Sequence, residues 1–466
     1  MKRCSVSRRR FLQGGLAISA GLAAQSNPQV FANDTAQARP NILVIFSDQQ
    51  HWQAMGCMDS FFATPHLDAL ARESTVFENS FCTTPQCSPS RSSLLTGCYP
   101  HKTGVMGNVG AAGGKALAQK TIASELKAAG YHTGYFGKWH LGNKAVANAG
   151  WDQSHLKIND PGAQSRALAF LKQAAQSTQP FALFVSINNP HDIYHFKRHK
   201  VDSPEQEIAL PPSWKHETFG DKPAVHKQFM LEDQGTAIWG AEREVWEQYR
   251  DCYRTKTRLY DQNVGAILSE LKRQGLWDDT VVICTSDHGD MDANHRLIYK
   301  GPFMYEHMVR VPLIVRVPPK FGGTAPQRLT QVDVVNVDIT PTIRELCGLA
   351  PVECDGISMR PILTGVSVQK TRDFVIGQYY SKQRWVNPIR MIRTPEFKFN
   401  RYIHHGEELY DLKNDPHELK NLAQDRHYAE TRMDMSRALD RWIKQNNDPF
   451  YSLKASTRKG EPLHSV

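Results

Sequence analysis

The 466-residue chain has no tandem repeat and no long low-complexity tract, which excludes solenoid and wholly disordered architectures. It has no apolar run long enough to span a bilayer, since its best candidate, Gly14 to Ala24, is short and rich in glycine. It has no strong charge imbalance: 56 Lys and Arg against 47 Asp and Glu leave +9, an excess that nucleic acid is not needed to explain and that suits acidic substrates. Cysteine is sparse, with nine residues. What is present, with 40% hydrophobic residues, is enough for one large globular domain and a small one.

The most informative stretch is Cys87-Ser88-Pro89-Ser90-Arg91, followed by Thr96-Gly97. By chance a C-x-P-S-R pattern would occur in a chain this long only about three times in a thousand. Pro89 suits the first turn of a helix, where its missing N–H costs nothing. A helix start there offers free N–H groups and partial positive charge to an anion. Arg91, one turn after Cys87, would lie within reach of that anion. A merely buried cysteine would require neither Pro, Ser nor Arg at these offsets.

At the N-terminus, Ser7-Arg8-Arg9-Arg10-Phe11-Leu12 before the Gly14 to Ala24 run resembles a twin-arginine export signal. Residues 1–38 are expected to be a leader and short linker, cleaved after Ala32 or Ala38. Its loss removes five basic side chains and Asp34, lowering the net charge to +5. The expected location is periplasmic or secreted, with the Tat translocase as a partner and no stable membrane span in the mature chain. Cys4 leaves with the leader. Setting Cys87 aside, seven cysteines remain, an odd number, so at least one stays free or pairs outside the chain. Cys347 and Cys354 are a candidate short disulfide loop.

Short apolar runs alternate with helical patterns, the signature of an α/β sheet covered on both faces. Asn41 to Ser47, Phe181 to Asn188, Val281 to Ser286 and Pro312 to Val317 read as strands. A long amphipathic helix lies within Glu244 to Arg273, and another helix is expected from Thr340-Pro341 to Gly348. In open α/β sheets chemistry collects beyond the carboxyl ends of strands. Asp48 and Gln49, His191, and Asp287 and His288 all follow such ends. Asp48, Asp287, the Gln49 amide oxygen and a His288 ring nitrogen are candidate ligands of a divalent metal.

The Cys87 motif resembles the signature of the formylglycine-dependent (type I) sulfatase family, in the alkaline-phosphatase-like superfamily. The resemblance implies that a formylglycine-generating maturation enzyme oxidises Cys87 to Cα-formylglycine, a nucleophile once hydrated. Oxidation would precede export, because twin-arginine substrates cross the membrane folded. Gly137-Lys138-Trp139-His140-Leu141-Gly142 is similar to the family's segment in which Lys138 binds a sulfate oxygen and His140 hydrogen-bonds the formylglycine hydroxyl. Asn189-Pro190-His191-Asp192 makes His191 the implied general acid. Lys300, before Gly301-Pro302-Phe303, matches the second sulfate-binding lysine. The implied metal is calcium, with residue 87 completing its shell. Members of the family often carry Asp where Gln49 stands and Asn where His288 stands, and imidazole is a poor calcium ligand.

The implied fold is an alkaline-phosphatase-like α/β sandwich with a large central mixed sheet flanked by helices. A smaller C-terminal α+β subdomain with an antiparallel sheet follows. The catalytic domain is expected over 39–370 and the subdomain over 371–466, which includes Glu408-Leu409-Tyr410-Asp411-Leu412. The implied activity is sulfuric ester hydrolysis, on a sulfated carbohydrate. The alternatives are an arylsulfatase, a phosphonate monoester or phosphodiester hydrolase on the same scaffold, a thiol enzyme using unmodified Cys87, and a non-catalytic glycan binder. Loops at 143–162, 195–240 and 385–402 are expected to set specificity. Tyr194, Trp214, Trp239, Trp385 and Arg198 serve either sugar contact or packing. His295 and Asp292 are candidate substrate contacts.

Overall fold

The computed structural model describes residues 39–201, 208–366 and 372–463. The export and linker reading of residues 1–38 lies outside the described residues, as does the expected boundary between 370 and 371. Arg39–Val466 forms one compact unit. Among the described residues, no helix is long and apolar enough to cross a membrane.

Fourteen strands follow in chain order: β1 (Asn41–Asp48), β2 (Thr75–Phe77), β3 (Ser80–Phe81), β4 (His132–Gly137), β5 (Gln153–His155), β6 (Phe181–Pro190) and β7 (Thr280–Ser286), then β8 (Leu313–Arg316), β9 (Gln327–Leu329), β10 (Val334–Val335), β11 (Val375–Lys382), β12 (Trp385–Arg393), β13 (Phe397–Tyr402) and β14 (Glu407–Asp411). Eight of them form the main sheet in the order β5-β4-β6-β1-β7-β8-β2-β9. Its pairings are parallel except at β8, which runs against both β7 and β2. Strands β11 to β14 make a separate antiparallel sheet, in chain order. The large mixed sheet and the smaller antiparallel one are those expected.

The central strands read as continuous apolar runs because both faces are covered. Ile42, Val44 and Phe46 of β1 face a layer holding Leu94, Leu95, Ile122, Leu126, Ile339 and Ile343. Leu43 and Ile45 face the other layer, with Phe170, Tyr260, Val264 and Ile267. The helix Arg243–Arg273 spans 31 residues and buries one stripe on this second side. The helix expected from Thr340 begins at Ile339 and ends at Leu346, one residue before the Cys347 cap. The C-terminal sheet packs Ile376, Ile392, Phe399 and Leu409 against Met435, Leu439 and Ile443 of the helix Ala429–Gln445.

One expectation fails here. Cys347 and Cys354 are both free and form no disulfide with one another. Cys347 is buried in the apolar layer beside Ile343 and Leu346, whereas Cys354 packs near Gly97.

Candidate active site

Four strand ends assemble the site. β1 and β7 are parallel and pair Ser47 with Ser286, so Asp48 and Asp287 leave the sheet side by side. On the other flank, β1 pairs with β6 up to Ser47 with Ile187. A register shift then sets Asp48 opposite Pro190, which carries His191 to the same edge. Lys138 follows β4, its N–H bonded to the Ser186 carbonyl at 3.3 Å. The preceding Gly137 has φ +105°, and a Cβ there would lie 1.9 Å from the Ser186 oxygen, so only glycine permits this approach.

Cys87 begins the helix Cys87–Thr96, which packs across these ends and closes on Gly97 in the left-handed region at φ 74°. Gln86 offers this helix no side-chain cap. Asn108 accepts from the Ser88 N–H instead, at 3.0 Å. Its buried face carries Arg91, which donates from Nη2 to Asp48 Oδ2 at 2.9 Å and from Nε to Asp287 Oδ2 at 2.8 Å. Nη1 donates to Ser186 Oγ and to the Lys138 carbonyl at 2.8 and 2.5 Å. Arg91 therefore sits behind the carboxylates and holds them, rather than reaching out to an anion as its spacing had suggested.

With Oδ2 of each carboxylate on Arg91, the Oδ1 atoms lie on the His288 side, and that of Asp287 also accepts from the Gln49 and His288 N–H groups at 3.1 and 2.9 Å. His288 Nε2 lies 3.7 Å from both Oδ1 atoms and 3.2 Å from Cys87 Sγ. The other ring nitrogen, Nδ1, lies 2.9 Å from the Gly289 carbonyl. Donation there puts the proton on Nδ1 and turns the Nε2 lone pair toward the carboxylates. Asp48, Cys87, Asp287 and His288 thus place ligand atoms within 4.8 Å of one another, all buried. Burial and the nearby Asp48 charge push the Asp287 carboxyl up. Burial opposes ionisation of Asp48 too, but Lys138, His191, Lys300 and Arg91 outweigh it and hold that carboxyl well below its usual range. A bound divalent cation would remove the repulsion between the two carboxylates.

Gln49 differs from its expected role as a ligand. Its amide oxygen accepts from Lys300 Nζ at 2.6 Å, and its amide nitrogen donates to Asp290 Oδ2 at 2.7 Å. The backbone at Gln49 is left-handed, φ 75°, a costly conformation for a side-chain-bearing residue. Tyr253 helps hold it, donating to the Gln49 carbonyl at 2.8 Å. The donors remaining for a metal are two carboxylates, one imidazole and residue 87. That set fits a divalent ion but is short of the six to eight oxygens calcium takes.

Lys300 Nζ also lies 3.2 Å from Cys87 Sγ, and Lys138 Nζ lies 3.8 Å from Sγ and 2.6 Å from Asp48 Oδ2. Burial and Asp48 disfavour the Cys87 thiolate, yet Lys138, Lys300 and His288 prevail and draw its pKa well below the usual thiol value. His191 is brought to the same site, its charge coupled to Asp48, Lys300, Lys138 and Cys87. Burial, reinforced by the two lysines and opposed by Asp48, pushes its imidazole down to about 3. His140 has left-handed backbone, φ 59°, and its carbonyl accepts from Ser88 Oγ at 2.5 Å. Its buried Nδ1 has no hydrogen-bond partner among the described residues.

His295 and Asp292, the candidate substrate contacts, are both held by partners within the protein. His295 is 2% exposed, with Nδ1 2.9 Å from Glu217 and its ring stacked on Tyr305. Asp292, 1% exposed, pairs with Arg250 Nη2 at 3.0 Å. Trp385 is buried packing, Trp214 packs edge-on against Trp246, and Tyr194 stacks on Tyr299 beside the site. The sequence reading missed Asp290, a buried carboxyl that burial pushes up to about 7 and that also accepts from Tyr249 at 2.7 Å. Its place three residues after Asp287 was the available signal.

A mixed α/β sheet with helices on both faces, bearing two carboxylates, an arginine and paired lysines at its carboxyl edge, defines an alkaline-phosphatase-like hydrolase. Residues 40–349 match the Sulfatase family, and residues 294–445 match the family described as N-sulphoglucosamine sulphohydrolase, C-terminal. The chain is 30% identical over 458 residues to a Delta 4,5-hexuronate-2-O-sulfatase of Bacteroides thetaiotaomicron, covering 90% of this chain and 92% of that one. It is 29% identical over 438 residues to a choline-sulfatase of Rhizobium meliloti, covering 83% of each. A solved 2-O GAG sulfatase superposes with a TM-score of 0.81 at 27% identity, over 90% of this chain and 95% of the other. The chain belongs to the sulfatase family and is a sulfatase.

Proposed function

We propose that this sulfatase releases inorganic sulfate from a sulfated carbohydrate, with residue 87 in its formylglycine form. One observation carries the reading: the Lys138 and Lys300 ammonium groups converge on Cys87 beside the buried Asp48, Asp287 and His288. The hydrated aldehyde would supply one hydroxyl oxygen to attack sulfur and a second to expel sulfate by C–O cleavage. Lys138 and Lys300 offset the charge by which a sulfate ester repels a nucleophile. Arg91 fixes the two carboxylates from behind. His140 offers its unpartnered Nδ1 to a hydroxyl on residue 87.

His191 is neutral before substrate arrives, since burial and the lysines hold it near 3. An arriving sulfate anion favours the imidazolium, so His191 takes up a proton with the substrate and hands it to the departing alcohol oxygen. Asp48, Asp287 and His288, with residue 87, would hold the divalent ion, which when bound polarises a sulfate oxygen as a Lewis acid. The imidazole and the engaged Gln49 oxygen favour a first-row ion such as zinc or manganese over the calcium implied by resemblance.

The sugar class is supported by the hexuronate and GAG sulfatases among the relatives. Export by the twin-arginine pathway to the periplasm or beyond is part of the same reading, as is maturation by a formylglycine-generating enzyme. The test is sulfate release from a panel of sulfated mono- and oligosaccharides beside an aryl sulfate and an aryl phosphodiester. The enzyme used has its Cys87 peptide checked for the aldehyde by mass. Release from a sugar supports the proposal, and preference for the phosphodiester would move the enzyme to the phosphonate and phosphodiester hydrolases.

A further inference from the structure

An open pocket of about 460 Å³ lies beside the lysine-lined site, its walls including Tyr194, Lys197, Asp233, Gln234, Tyr299 and Arg458. Its wall reaches the reaction centre through Tyr194. Tyr194 stacks on Tyr299 with ring centroids 4.1 Å apart and lies 5.0 Å from the His191 ring. Lys300 Nζ sits 5.9 Å from the Tyr194 centroid. Tyr194 therefore borders both the pocket and His191, the group that would face the alcohol portion of an ester whose sulfur faces residue 87.

Charge in the pocket is one-sided. Among the described residues, Asp233 is its only acidic lining residue. That carboxylate pairs with Lys382 at 2.7 Å and with Arg458 Nε at 3.3 Å. Lys382 is a buried side chain that also donates to the Lys300 carbonyl at 3.1 Å, so it ties the pocket wall to the reacting lysine. With Lys382 balancing Asp233, the cations Arg458 and Lys197 are in excess, and both are exposed. A cationic alcohol would be repelled here, and a neutral one would leave that excess unanswered.

We infer that this pocket is the leaving-group subsite, and that Arg458 and Lys197 read a second anionic group on the sugar. That group is a carboxylate or a further sulfate, and Tyr194 offers a ring face to the sugar beside it. The inference rests on the sulfatase reading and narrows its substrate class to sugars carrying more than one negative charge.

Sulfate release is compared for a sulfated disaccharide containing a uronate, for its carboxyl-reduced analogue, and for an analogue with a second sulfate in place of the carboxylate. The wild type is expected to favour the uronate over the reduced sugar by about tenfold or more in kcat/KM, mainly through KM. R458E and K197E, both at exposed positions, are each expected to shrink that ratio by about tenfold, with melting curves confirming the fold. Retained preference for the disulfated analogue identifies a charge reader, and its loss identifies a carboxylate reader. Equal turnover of uronate and reduced sugar by the wild type, or a ratio unmoved in both variants, overturns the inference while leaving the sulfatase reading intact. Activity on an aryl sulfate with none on any of the sugars overturns the sugar reading and this inference together.

Discussion

Arg91 and Asp48 form an ion pair 2.9 Å long that solvent reaches at neither side chain. The same guanidinium holds Asp287 at 2.8 Å, equally buried. One planar group thus fixes two carboxylates that repel one another, and it takes the Oδ2 atom of each, so both Oδ1 atoms turn toward Cys87 and His288.

Removing that cation leaves Asp287 without its arginine and Asp48 with Lys138 as its nearest cation. Arg91→Ala should lose about 3–5 kcal/mol of stability, the range for breaking a buried ion pair by deleting one member. Arg91→Lys keeps the charge but not the fork, and should fall between alanine and wild type. Differential scanning calorimetry of the three proteins checks this. A melting temperature for Arg91→Ala equal to wild type would show that the pair has no such role.

Cys87→Ser separates the two halves of the proposed chemistry. A serine oxygen can attack sulfur but has no second hydroxyl on the same carbon to expel sulfate. The variant should take on one sulfate per chain, seen as a mass increase on the residue 87 peptide, and then turn over slowly. Undiminished steady-state turnover by this variant would contradict a formylglycine route.

His191 touches only the departing alcohol in this scheme, so its value should depend on the leaving group. His191→Ala is expected to lose about 10²–10⁴ in kcat with a sugar sulfate, whose alkoxide needs a proton. The loss should be far smaller with a nitrophenyl sulfate, whose phenoxide leaves unaided. Equal losses on both substrates would remove His191 from the proton-donor role.

Much of this site was legible before folding because its residues sit at strand ends, where β-type apolar runs stop and polar residues begin. Asp48, Asp287 and His191 were placed that way, Cys87 and Arg91 came from one motif, and Lys138 and Lys300 from resemblance to the segments of the sulfatase family. Orientation was not legible. The same offset that puts Arg91 one turn from Cys87 is compatible with a guanidinium facing an anion or facing two carboxylates, and the tertiary partners decide it: Asp48, Asp287, Ser186 and the Lys138 carbonyl, with the Phe46 ring 5.1 Å away. Gln49 read as a ligand because its rival partners, Lys300 and Asp290, lie about 250 and 240 residues away. His295 read as a loop contact, but Glu217 and Tyr305 close over it. The pocket pair Asp233 and Lys382 joins segments nearly 150 residues apart, and no local pattern announces it.

The donor set makes a prediction about metal that does not depend on turnover. Enzyme as isolated should retain a first-row divalent ion, measured by elemental analysis, and the metal-stripped protein should gain more thermal stability from zinc or manganese than from calcium. His288→Asn replaces a nitrogen donor with an oxygen donor and should shift that order toward calcium. Stoichiometric calcium in the wild type, unaffected by the substitution, would restore the ion implied by resemblance.

Acid should loosen the seam between the main sheet and the C-terminal one, and Glu306 says where. Glu306 pairs with Arg393 on β12 at 3.1 Å and with Lys398 on β13 at 3.4 Å. Burial opposes its charge, but Arg393, Lys398 and Arg310 outweigh it and hold the carboxyl down to about 2. A carboxyl depressed on folding adds stability above its unfolded value, near 4.5, and loses it as pH falls from there toward 2. Glu418, which accepts from the Glu306 N–H at 2.8 Å, works in the opposite sense. Burial raises it to about 7, so its contribution is full below 4.5 and fades as pH climbs to 7. Glu306→Gln isolates the first effect. Its stability deficit relative to wild type should be about 3–5 kcal/mol above pH 4.5 and should shrink steadily toward pH 2. Thermal melts of both proteins across that range decide the matter, and a deficit that stays constant with pH would mean that ionised Glu306 is not what holds the two sheets together.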